Sequence, residues 1–153
     1  MSSKKPAVAW AVVVVAALAL LSDSLSLLAS IVLFGQRPVQ QIVGTILLCA
    51  PLAALSVIVL RATWRGTFRS RTPVSLYLWG LLISDPIANV LRAIEWYVPR
   101  APIADNELAG AAFAELMRYV ILLSLIVWVG LSKALKAYFA PAAPKLAAEG
   151  LQP

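Results

Sequence analysis

Apolar residues fall along this chain in four long blocks, roughly Trp10–Leu33, Ile42–Leu60, Val74–Val98 and Leu108–Leu131. Polar and basic residues gather between them. A bilayer core about 30 Å thick is crossed by about 20 residues of helix rising 1.5 Å each, and every block is close to that length. The pattern predicts an all-α fold, a four-helix transmembrane bundle over residues 1–139 with spans at about 10–33, 42–60, 74–98 and 108–131. Residues 140–153, rich in Pro and Ala, read as a cytoplasmic tail. The two halves share no spacing or motif, so an inverted repeat has no support.

The basic residues give the bundle a direction. Lys4, Lys5, Arg61, Arg65, Arg69, Arg71, Lys133, Lys136 and Lys145 fall on one side, against Arg37 and Arg100 on the other. The positive-inside rule therefore predicts both termini in the cytoplasm, with the 61–73 loop. Trp10, Trp64, Tyr77, Trp79 and Trp128 fit the inner interface, and Trp96 and Tyr97 the outer one. A competing reading treats Lys4–Lys5, the Ala7–Ala16 run and Ala17-Leu18-Ala19 as a cleavable signal peptide. It would leave three spans and an external N-terminus. The apolar run resumes at Leu25–Phe34, which favours a retained span.

Composition excludes several function classes. The chain has 153 residues, 61% hydrophobic and 13% charged, with a mean hydropathy of +0.87. A soluble domain carries about 25% charged residues. The net charge of +6 sits at helix ends, where anionic headgroups lie, so membrane lipids are the expected partners and nucleic acid is not. Arg61, Arg65, Arg69, Arg71, Lys133 and Lys136 are the candidate headgroup contacts. Without histidine, and with Cys49 as the lone cysteine, no metal site, cofactor or catalytic residue is predicted.

Chemistry would show in the spans, where a charge is expensive unless it is paired or wetted. Asp23, Asp85, Arg92, Glu95, Glu115 and Arg118 all fall there, and Asn89 shares a helical face with Asp85 and Arg92. Counted inward from Trp10, Tyr77 and Lys133, the residues Asp23, Arg92 and Arg118 lie about 20–23 Å from the inner interface. A polar layer is expected there, joining the first, third and fourth helices, with Asp23 and Glu115 against Arg92 and Arg118. Glu115 and Arg118 can also pair at i, i+3. Such a layer is either structural glue or a binding site or ion path that Asp85 and Asn89 extend inward.

Pro86 leaves the carbonyl of Leu82 without its helical partner, and Ser84 is placed to rebond it. Pro51 is a similar kink in the second helix. Ser22, Ser26 and Ser30, and Ala50 with Ala54, are small-residue stripes for close helix packing.

Two cytoplasmic-end segments are more particular: Arg69-Ser70-Arg71-Thr72-Pro73-Val74-Ser75-Leu76-Tyr77, and Ser132-Lys133-Ala134-Leu135-Lys136-Ala137-Tyr138-Phe139. With Arg118 early in the fourth helix, they resemble a family of short bacterial inner-membrane proteins with four spans and no assigned function. The likeness rests on the Ser-Lys-x-x-Lys-x-x-Phe tail; Ala134 and Val129–Gly130 depart from the family pattern. It implies a multi-pass protein of the bacterial cytoplasmic membrane and supplies no reaction. The tail lysines are expected to bind phosphates and complement the helix dipole, with Phe139 dipping into the interface.

The expected function is a non-enzymatic accessory or scaffold, or an oligomeric bundle, with itself or another membrane protein as partner. The alternative is a small proton- or ion-coupled transporter or channel using the buried charges.

Overall fold

A computed structural model describes residues 5–68, 70–97 and 105–139, with side chains from 110 onward in the last segment. Four long helices make up the body: α1 (Ala7–Val32), α2 (Val39–Arg65), α3 (Thr72–Ala93) and α4 (Asp105–Leu131). A short α5 (Lys133–Phe139) follows. The chain is an all-α four-helix bundle of a multi-pass membrane protein.

The helix ends follow from local chemistry. Pro6 and Pro38 precede α1 and α2 with extended backbone, and Pro73 stands in the first turn of α3, where a missing N–H costs nothing. Gly66 ends α2 in the left-handed region (φ 65°), and the N–H of Thr67 donates to the Ala62 carbonyl at 3.0 Å. The Ser132 hydroxyl accepts from the N–H of Leu135 at 3.1 Å and starts α5.

The helices neighbour one another in chain order, with α1 closing back on α4; α1 and α2 make the most intimate pair. The outward surface is apolar: Leu21, Leu28, Ile31, Leu76 and Leu131 are all exposed. A soluble protein would bury them. Here lipid covers them at no cost.

The interior differs between its two ends. Toward α5 it is packed solid: Val8, Val12, Val74, Leu78, Val129 and Leu135 are fully buried. Deep in this core the Ser56 and Tyr77 hydroxyls bond each other at 2.7 Å. Trp10 meets Trp64 edge-on at 5.2 Å, and Lys5 sits 3.2 Å from the centre of the Trp64 ring. These contacts tie α1 to α2 at the same end.

Three expectations change. α3 stops at Ala93 instead of running to Val98. Its end is a Schellman closure, with the Trp96 N–H on the Leu91 carbonyl (2.7 Å) and the Glu95 N–H on the Arg92 carbonyl (3.0 Å). Glu95 holds the left-handed position (φ 61°) that glycine usually takes. Next, the residues after Ser132 form α5, and Phe139 is buried edge-on against Phe68 at 5.6 Å rather than dipping into lipid. The Tyr138 hydroxyl donates to the Thr63 carbonyl at 3.1 Å, so α5 folds back over the end of α2. Finally, the Ser84 hydroxyl donates to the Leu81 carbonyl at 2.7 Å, not to that of Leu82, and α3 continues through Pro86.

Candidate functional site

Beyond the solid core the four helices stand apart around a cavity of about 810 Å³. α1 contributes Val15, Leu18, Ala19, Ser22, Asp23 and Ser26 to its wall. From α2 come Leu48, Cys49 and Leu52, and from α3 Leu81, Ser84, Asp85, Ala88 and Arg92. α4 adds Ala114, Met117, Arg118, Ile121 and Leu122, and Tyr97 reaches in from the turn after α3. The volume lies within the range of about 300–1,000 Å³ typical of small-molecule pockets.

Of the expected polar set, Asp23, Asp85, Arg92 and Arg118 meet on this wall. They do not pair as expected. Arg118 on α4 donates to the Asp85 carboxylate on α3, an ion pair between adjacent helices. Arg92 donates from Nη1 to the Asn89 side-chain oxygen at 2.6 Å, and its guanidinium lies 5.0 Å from the centre of the Tyr97 ring. Arg92 thus points along its own helix and onto the following turn. The cause is the early end of α3, which brings Tyr97 back beneath it. Glu115 is half-buried on α4 outside the cavity wall, and Asn89 is exposed. Glu95, expected within the third span, is exposed in the closing turn.

Asp23 is the site's most unusual group. Its Oδ2 is enclosed and has no hydrogen-bond partner among the described residues. An unsatisfied buried polar atom costs about 1–3 kcal/mol, more when charged. Arg118 stands on the same wall, yet it is already engaged by Asp85. The serine stripe around Asp23 is only partly a packing face. Ser30 is buried against the neighbouring helix, while Ser22 and Ser26 line the cavity. The Ser26 hydroxyl donates to the Ser22 carbonyl at 3.0 Å and that of Ser30 to the Ser26 carbonyl at 2.9 Å.

One group sequence reasoning missed is the turn Ile94–Tyr97, which brings Tyr97 to the cavity wall. The Trp96 carbonyl lies against Gly44 of α2, where any Cβ would collide with it. The Tyr97 hydroxyl rests 3.6 Å from the Cys49 sulfur. Burial, followed by the thiol contact, pushes the Tyr97 hydroxyl well above its ordinary range, so it stays a neutral phenol. The signal available in the sequence was Gly44, a helix-weakening residue near the start of the second apolar run.

The candidate headgroup residues Arg61, Arg65, Lys133 and Lys136 are exposed at the α5 end. Arg71 differs: it is half-buried, and its Nη1 donates to the Val129 carbonyl near the end of α4 at 3.5 Å. Arg69 lies outside the described residues, as does the tail from 140 on. Among the described residues, no three His, Cys, Asp or Glu side chains gather as metal ligands would.

Comparison with known protein families, curated proteins and solved structures finds no match. What the site can do rests on its own geometry: a carboxylate whose Oδ2 has no partner among the described residues, an ion pair between adjacent helices and apolar walls share one partly open space.

Proposed function

We propose that this protein is a small carrier or channel of the bacterial cytoplasmic membrane, with the cavity as its solute site and no enzymatic activity. Both termini and the basic 61–73 loop face the cytoplasm, where Arg61, Arg65, Lys133 and Lys136 meet anionic headgroups. The observation that carries this reading is the cavity itself. Charges used only to fix helix register pair inside a packed interior, whereas Asp23, Asp85, Arg92 and Arg118 line about 810 Å³ of open space. A bundle that needed only to stand would close it, since interiors pack to crystal density.

A second reading, an accessory or scaffold subunit that assembles with itself or another membrane protein, draws on the Arg118–Asp85 pair, which joins α3 to α4. Flux measurements in proteoliposomes separate the two. A carrier gives saturable flux driven by a pH or voltage gradient and lost in Asp23→Asn with the bundle intact. A scaffold gives none under any gradient, and its Asp85→Asn variant fails in assembly alone.

A further inference from the structure

We infer that the cavity takes an amphiphilic organic cation, its charged nitrogen held by Asp23 and its hydrocarbon body laid against Leu18, Leu48, Leu52 and Met117. The inference rests on reading the cavity as a solute site and adds the chemical class of the solute.

The sign of the ligand follows from how the wall's charges are engaged. Both arginines already have acceptors: Arg118 has Asp85, and Arg92 has Asn89 and the Tyr97 ring face. Asp23 stands on the cavity wall, and its enclosed Oδ2 has no donor among the described residues, so no neighbouring group there compensates the carboxylate by a hydrogen bond to that oxygen. One hydroxyl on the wall points the same way. Ser26, one turn along α1, uses its proton on the Ser22 carbonyl, so toward the cavity its oxygen acts as an acceptor. An anion would have to share arginines already turned to other acceptors, whereas a cation meets a carboxylate whose Oδ2 has no donor among the described residues.

The walls decide what kind of cation. A bare metal ion needs several oxygen, nitrogen or sulfur ligands to replace its water, and no such cluster forms among the described residues. The wall that carries Asp23 and the other polar groups is otherwise leucine, valine, alanine, isoleucine and methionine. Apolar burial of a hydrocarbon body contributes about 25 cal/mol per Å², which offsets desolvation of a diffuse ammonium far better than of a small hydrated ion. Methionine adapts to irregular shapes, so discrimination should fall on charge more than on contour.

Cys49 provides a built-in reporter, because it is the chain's lone cysteine and stands on the same wall. The test uses the purified full chain in lipid nanodiscs and follows modification of Cys49 by a water-soluble maleimide. The probe is a benzyl-trialkylammonium ion, run beside its neutral carbon isostere and a carboxylate of the same size. The expected result is saturable protection by the ammonium, at least about tenfold better than by either analogue. Asp23→Asn removes that preference, and Asp23→Glu retains it, which separates loss of charge from loss of fold. Equal protection by the neutral or anionic probe, or an unchanged ammonium preference in Asp23→Asn, overturns the cation assignment and leaves a solute cavity standing. No protection by any of the three overturns both.

Discussion

Arg118 of α4 and Asp85 of α3 form an ion pair across the helix boundary that borders the cavity. The arginine side chain is 45% exposed and the aspartate 19%, so the pair stands at the rim of the open space instead of within the packed core. Partial exposure screens the attraction, while the lipid around the bundle offers no substitute partner. The pair therefore works as a strut: it holds α3 and α4 together where apolar packing has given way to a cavity.

A double-mutant cycle measures the strut. Asp85→Asn and Arg118→Gln, singly and together, should give a coupling of about 1 kcal/mol in detergent unfolding, at the upper end for a screened pair. A coupling near zero would remove the strut from the account.

The Ser56–Tyr77 bond behaves differently because both hydroxyls are buried in the solid half of the bundle. Tyr77→Phe leaves the Ser56 hydroxyl without its partner and should cost about 1–2 kcal/mol. Adding Ser56→Ala to Tyr77→Phe should recover most of that loss. Thermal unfolding of the three variants checks the order.

The turn after α3 carries a strained residue beside a tight contact. Glu95→Gly removes the penalty of a left-handed glutamate and should stabilise by up to about 1 kcal/mol. Gly44→Ala drives a methyl into the Trp96 carbonyl and should cost about 1–3 kcal/mol while loosening Tyr97 from Cys49. Opposite shifts in melting temperature are expected from the two substitutions.

α5 clasps the end of the bundle through buried Leu135 and Phe139. Phe139→Ala should cost about 3–5 kcal/mol if α5 is part of the cooperative unit. Limited trypsin digestion at Lys133 or Lys136 should then outpace that of the parent protein.

Helices of this length announce themselves by hydropathy alone, so the four spans and the all-α class were legible in the residues. The four charges on the cavity wall were legible too, because a charge in an apolar run has few places to go. Their partners were not. Helical arithmetic placed Arg118 level with Asp23, but pairing depends on which helices are neighbours: α3 and α4 lie side by side, so Asp85 met Arg118 first. The end of α3 was hidden for a different reason. Glu95 has no preference for positive φ, and Ile94, Trp96 and Tyr97 extend the apolar run, so nothing before Pro99 signals a stop. Likewise, Phe139 looked like a lipid anchor because its receptor, Phe68, stands on a distant loop.

A solute site requires that the space beside Asp23 belong to water and not to lipid. Modification of Cys49 by a charged, water-soluble thiol reagent in intact bilayers reads this directly. Measurable reaction is expected in the parent protein, with a rise of about tenfold or more when Tyr97→Ala takes away the phenol whose hydroxyl rests on the sulfur. Reaction with lipid-soluble reagents alone, unchanged by Tyr97→Ala, would mean a crevice filled by acyl chains and would contradict the proposed solute site.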